Sequence, residues 1–226
     1  MTITRRTLIG ASTAMLAGAP ALAQESWYPL TSADGREIVN FRVPVELETE
    51  LSELDNVFSS GSERADVTLI EIFDSNCPWC RRAAADMRAL ALADIDLRIT
   101  YVNAPALGLG SFQAAKVEYA VKKVAGAQKC LSFHHAFMSL RGPLDGVRAL
   151  GIAKDMGLNA AEIEEIADDP ATGAVIRDAA RLARALNLAA TPSWLIAGTA
   201  IIGYPGRPAL EAIVRDVRQC DKPVCG

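Results

Sequence analysis

Cys77-Pro78-Trp79-Cys80 constrains this chain more than any other feature, because of what stands on either side of it. Val67-Thr68-Leu69-Ile70-Glu71-Ile72-Phe73 is a short β-branched apolar run, the mark of a buried strand. It leads through Asp74-Ser75-Asn76 into Cys77, and an alanine-rich helix is predicted from Pro78 to about Ala93. Ile95 to Val102 reads as a second strand. Strand, helix, strand in that order make a βαβ unit on a parallel sheet. A cysteine that ends a strand and caps a helix sits where unpaired backbone N–H groups and the helix dipole favour negative charge. Pro78 suits the first helical position, where its missing N–H costs nothing. Thiolate is the attacking species in disulfide exchange, so this placement lowers the pKa of Cys77 and activates it. Cys80 lies one turn along the same face, where it closes a bridge with Cys77 or resolves a mixed disulfide. Arg81 and Arg82 add positive charge nearby. An isolated C-x-x-C is also compatible with a structural bridge or half a zinc site, but the flanking strand and helix favour a redox pair.

The remaining pattern places this unit in a larger frame. Residues 24–66 are polar and mixed, with a strand expected over Ile38–Val45, a helix over Glu46–Phe58 carrying Leu47, Leu51, Leu54 and Phe58 on one face, and a loop over Ser59–Arg64. From Ser111 to Leu188 helix follows helix: Ser111–Val124, Cys130–Leu140, Asp145–Met156, Ala160–Asp168 and Ala171–Leu188. Strands return at Ser193–Ala197 and Ala200–Gly203, and a last helix runs from Pro208 to about Cys220. A βαβ half, an all-helical block and a ββα half are best explained by a helical domain inserted into a small α/β domain. The 226 residues suffice for that arrangement.

The start of the chain reads as an address. Arg5-Arg6 precede a short, mildly apolar stretch, then Pro20 and Ala21-Leu22-Ala23, an A-x-A cleavage site. The stretch is too short and too diluted by Gly, Ser and Thr to span a bilayer. The paired arginines resemble a twin-arginine signal, which implies export of a folded chain to the periplasm, with cleavage after Ala23. Removing Arg5 and Arg6, the only charges in that segment, takes the formal charge from −4 to −6. With no basic run of five or more, nucleic acid and anionic lipid are excluded as expected partners.

Export also changes how the cysteines read, since an oxidising compartment lets disulfides persist. The five cysteines are an odd number, so at least one thiol is unpaired within the molecule. Cys220 and Cys225 would pin the tail of the last helix if bridged; a second redox or metal pair is the alternative. Cys130, beside Leu131 and Phe133, reads as a small buried residue. His134 and His135 are adjacent on a helix and point different ways, unlike an i, i+4 metal pair. Gly108-Leu109-Gly110 lacks the third glycine of a phosphate loop, and no G-x-S-x-G motif is present.

Strand–C-x-x-C–helix, the helical insertion and Thr191-Pro192 ahead of two strands resemble the thioredoxin superfamily, specifically the bacterial DsbA-like thiol–disulfide oxidoreductases. The likeness runs from about Val67 to Cys220. It implies an α/β thioredoxin-like fold, a central β-sheet flanked by helices, formed by 67–110 and 189–226 with 111–188 as the inserted helical domain. Residues 24–66 are then an N-terminal extension. By that resemblance Pro192 is a cis-proline opposite the dithiol, and Thr191 offers backbone hydrogen bonds to a bound peptide, with Pro78 and Trp79 alongside. Glu71, six residues before Cys77, corresponds to the superfamily's buried acid that passes a proton to the dithiol. As the single charge in an apolar strand, it is expected to be buried with a raised pKa. No cofactor and no metal are implied. The partners implied are exported proteins with cysteines, and a membrane or soluble redox partner that resets the dithiol.

Two positions depart from the strongly oxidising prototype of that family. Trp79 stands where the prototype has a histidine, and Thr191 where it has a valine. Both imply a tempered oxidant and keep an isomerase or reductant open as the direction of electron flow. Two other classes compete: a module in which Cys77, Cys80, Cys220 and Cys225 ligate zinc, and a binding protein whose C-x-x-C is only a staple.

Overall fold

The computed structural model describes residues 26–226. The export signal and its cleavage after Ala23 lie outside the described residues. A six-stranded mixed sheet organises the molecule, in the order β1-β6-β5-β3-β4-β2. Its centre is the βαβ unit of β3 (Val67–Phe73), α2 (Pro78–Ala93) and β4 (Leu97–Asn103). β3 and β4 run parallel, from Val67 opposite Leu97 to Phe73 opposite Asn103. β5 (Ser193–Ile196) lies antiparallel on the other side of β3, and β6 (Thr199–Ile202) continues antiparallel beyond it. The edges are β1 (Asn40–Arg42) against β6 and β2 (Val57–Gly61) against β4.

Alternation along β3 feeds two cores. Leu69 and Phe73 point to the face covered by α2 and α7 (Arg207–Cys220) and by the start of the helical block, with Met87, Ile213 and Phe133. Ile70 and Ile72 point to the opposite face, where Leu51 of α1 (Val45–Ser52) and Leu182 of α6 (Pro170–Ala185) close the layer. Burial on both faces explains why β3 reads as a continuous apolar run. The helical block, α3 (Leu109–Met138), α4 (Gly146–Asp155), α5 (Ala160–Asp168) and α6, is inserted between β4 and β5, as the sequence implied. Asp145, Asn159 and Asp169 each cap the N-terminus of the helix that follows by accepting a backbone N–H. Among the described residues no helix is long and apolar enough to cross a membrane.

Three local expectations are corrected. The helix expected to Phe58 ends at Ser52, and the loop expected from Ser59 is part of edge strand β2. Leu47, Leu51 and Leu54 pack on one face of the sheet and Phe58 on the other, so their shared helical spacing was coincidental. Gly61 completes β2 at φ +84°, where a Cβ would lie 2.0 Å from the Leu97 carbonyl oxygen; no other residue fits there. The expected strand over Ile38–Val45 shrinks to Asn40–Arg42. The two helices expected over 111–124 and 130–140 are both present within α3, separated at Gly126, whose φ of 81° and ψ of 170° are not helical.

Candidate active site

β3 delivers the chain through a turn into the first residue of α2. Cys77 is the N-cap of α2, and its sulfur accepts the backbone N–H of Cys80 at 3.4 Å. Pro78 follows at the first helical turn. Cys77 and Cys80 are free thiols, and both are buried. The Cys77 thiol also donates to the carbonyl oxygen of Thr191 at 3.2 Å, which brings the loop before β5 against the end of β3. The Thr191-Pro192 peptide bond is cis.

These contacts hold the two sulfurs at different acidities. The hydrogen bond with the Cys80 side chain is the largest of the effects that bring Cys77 down to about 6, joined by the Cys80 and Trp79 N–H groups and the Thr191 side chain, against burial. Burial, and then the bond to Cys77, push Cys80 well up. One thiol of the pair is poised as thiolate near neutral pH and the other holds its proton. That asymmetry is what directional disulfide exchange requires.

Glu71 lies in β3 between Tyr101 of β4 and Trp194 of β5, on the side that faces α2. Its residue exposure is 1%, and its Oε2 has no hydrogen-bond partner among the described residues. Burial, and secondarily the charge on Cys77, raise its pKa to about 8. A carboxyl in that range gains and loses a proton near neutral pH, beneath two thiols that must do the same.

A hydrogen-bond clamp that sequence reasoning missed positions the turn before Cys77. The buried Asp74 carboxylate accepts the N–H groups of Ala106 and Leu107 with one oxygen and that of Asn76 with the other. Asn76 donates to the Ser111 hydroxyl at 3.0 Å and the Leu144 carbonyl at 2.8 Å, and accepts the Leu144 N–H at 2.7 Å. Arg81 donates to the carbonyls of Ser75, Leu140 and Gly142 and to Asn76 Oδ1. Its guanidinium therefore ties the insertion to the dithiol loop. The available signal was Asp74-Ser75-Asn76, residue types that favour backbone-bonded turns at helix entries.

Of the remaining candidates, Trp79 is 57% exposed beside the dithiol and borders a groove with Thr191 and Pro192. Cys220 and Cys225 form a disulfide with Cα atoms 6.1 Å apart, so they supply no thiolates to a metal site shared with Cys77 and Cys80. Cys130 is buried, its thiol donating to the Glu118 carbonyl at 3.5 Å. His134 is a core histidine bonded to the buried Glu118 carboxylate at 3.0 Å, which also accepts from Asn103 at 2.6 Å. Burial, with the neighbouring His134 and Arg88, lowers half-buried His135 to about 4.

Comparison with known proteins follows the same geometry. The family model described as the DSBA-like thioredoxin domain matches residues 68–215. No curated protein matches the chain significantly. A thioredoxin-like oxidoreductase from Silicibacter pomeroyi is 32% identical over 73% of this chain and 94% of its own, with a TM-score of 0.67. The thiol-disulfide exchange protein alpha-DsbA2 from Wolbachia pipientis is 25% identical over 76% of this chain and 92% of its own, with a TM-score of 0.69. BdbD from Bacillus subtilis, at 17% identity, shares the fold over 85% of this chain and all of its own, with a TM-score of 0.66. A buried acid, an acidic thiol at a helix cap and a model spanning most of the chain agree: the protein belongs to the DSBA-like thioredoxin domain family and is a thiol–disulfide oxidoreductase.

Proposed function

We propose that Cys77 is the nucleophile, Cys80 the resolving thiol and Glu71 their proton carrier, in an enzyme that exchanges disulfides of exported proteins. The observation that carries this reading is the placement of the two thiols: Cys77 caps α2 and accepts the backbone N–H of Cys80, while Cys80 is fully buried one turn further in. That placement lowers Cys77 and raises Cys80. In the oxidising direction, a substrate thiolate attacks Cys77 of the Cys77–Cys80 disulfide, and Cys80 leaves as a thiolate that takes a proton from Glu71. A second substrate thiolate then attacks its own cysteine in the mixed disulfide, which forms the substrate disulfide and releases Cys77 as the stable thiolate. The reducing or isomerising direction runs the same bonds backwards, with Glu71 accepting the Cys80 proton. A low pKa at Cys77 stabilises the reduced enzyme and favours the oxidising direction.

Trp79, Pro78, Thr191 and Pro192 border the place where the substrate segment would lie, which supports their role in binding it. Export to the periplasm, with cleavage after Ala23, rests on the charged head, apolar stretch and A-x-A site of residues 1–23. A membrane or soluble redox partner would reset the dithiol, since each catalytic cycle leaves it reduced or oxidised. The test is oxidation of a reduced two-cysteine peptide by the oxidised protein, with the midpoint set in glutathione buffers. Turnover lost in Cys77→Ser, and a trapped mixed disulfide in Cys80→Ser, are expected. A mixed disulfide trapped on Cys80 would overturn the roles.

A further inference from the structure

The groove beside the dithiol has one wall that the thioredoxin-like elements do not supply. Residues ahead of β1 fold into a hairpin in which Thr31 and Glu37 face each other as an antiparallel bridge. Its turn is closed by Ser32 N–H to Arg36 O at 2.8 Å and Gly35 N–H to Ser32 O at 2.9 Å. The hairpin is fixed in place: Ile202 N–H donates to Val39 O, Ala33 N–H donates to Pro205 O, and Leu30 and Ile38 are buried in the main core. It bounds a groove of about 290 Å3 with Ser32, Arg36 and Glu37 on one side, and Thr191, Pro192 and Trp79 also in the lining.

The charges of this wall are not equivalent. Arg36 Nε is paired with Asp34 Oδ2 at 2.8 Å, so its charge is offset within the turn. Glu37 is exposed and makes no ion pair among the described residues. The same groove holds Trp79, whose ring stands largely in solvent. An unpaired carboxylate and an exposed indole suit an ammonium or guanidinium group, the first by charge and the second through the negative face of its ring.

We infer that the hairpin reads charge: Glu37 and Trp79 receive a basic side chain of the substrate segment flanking the cysteine that reacts at Cys77. This rests on the proposed exchange at Cys77 and adds the class of segment exchanged fastest. The substrate's lysine or arginine takes no part in the bond changes; it orients the segment so that its sulfur meets Cys77.

The experiment uses the full chain and matched two-cysteine peptides that differ only in Lys, Gln or Glu next to the reacting cysteine, on either side. At low salt the Lys peptide is expected to react with kcat/KM about fivefold above the Glu peptide, through KM. The ratio should fall towards one in about 1 M salt. Glu37→Gln should weaken the preference, and Glu37→Lys should invert it, an inversion that a purely structural residue would not produce. Equal rates for the three peptides, a preference for Glu, or the same ratio in wild type and Glu37→Lys would overturn the inference. Equal but rapid exchange would leave the dithiol roles standing, whereas failure of every peptide to exchange would remove the proposed function itself.

Discussion

Replacing Glu71 by glutamine should change the stability of this protein in a way that depends on pH. Glu71 is fully buried, and its pKa rises from an ordinary 4.5 to about 8, chiefly through burial. Below pH 4.5 both the native and the unfolded carboxyl are protonated, so the group contributes nothing against folding. As pH rises from there the unfolded chain ionises while the native state keeps its proton, and relative stability is lost until the pH passes about 8. At ~1.4 kcal/mol for each pH unit, that window removes about 5 kcal/mol from the wild type. Glutamine does not titrate and escapes the loss, while any cost of burying its amide is the same at every pH. Urea denaturation of both proteins in the oxidised form gives the comparison: neither thiol titrates there, the burial is kept and only the secondary contribution of the Cys77 charge is lost, so the window is somewhat narrower. The stability of the variant relative to wild type should climb by several kcal/mol between pH 4 and pH 9, and its peptide oxidation at pH 7 should slow. A difference that stays constant across that range would refute the burial argument. An unchanged pH–rate profile would remove the proton-carrying role.

Thr191→Val removes a side chain that helps lower Cys77, so the thiol pKa should rise and the protein become more reducing, by about 20 mV if one hydrogen bond of ~1 kcal/mol is lost. That direction is opposite to the one implied by the valine of the oxidising prototype, and glutathione-buffer midpoints decide between them. Asn76→Ala breaks the clamp between the dithiol loop and the insertion; it should cost about 2 kcal/mol and speed hydrogen exchange at the Leu144 amide, whose acceptor is lost. Replacing Cys220 and Cys225 together by serine opens a loop of sequence separation 5, which should cost about 2 kcal/mol on the chain-entropy view and leave the midpoint potential unmoved.

The parts of the fold legible in the sequence are those where one physical demand dominates. β3 reads as a strand because it is buried on both faces, and α2 begins where Cys77 and Pro78 together satisfy a helix start. The dithiol was visible for the same reason. Edge strand β2 was not, because Ser59, Ser60 and Gly61 carry little apolar signal and its pairing with β4 spans about 40 residues of chain. Helical spacing from Leu47 to Phe58 concealed a change of sheet face that only tertiary packing reveals. The clamp of Asp74, Asn76 and Arg81 was illegible in its partners, since Ala106, Leu107 and Leu144 are bonded through backbone atoms that any residue supplies. The charged wall at Glu37 belongs to a hairpin whose turn residues are visible but whose docking beside Trp79 depends on β1 pairing with β6.

The measurement that bears most directly on the central claim is a pH titration of thiolate absorbance in the fully reduced protein, with alkylation read residue by residue. A transition near pH 6 is expected from Cys77, with Cys77 alkylated before Cys80. It should vanish in Cys77→Ser and move to higher pH in Cys80→Ala, because the Cys80 side chain is the largest cause of the lowered value. A midpoint at the free-thiol value of about 8.5, or a transition that survives in Cys77→Ser, would contradict the account.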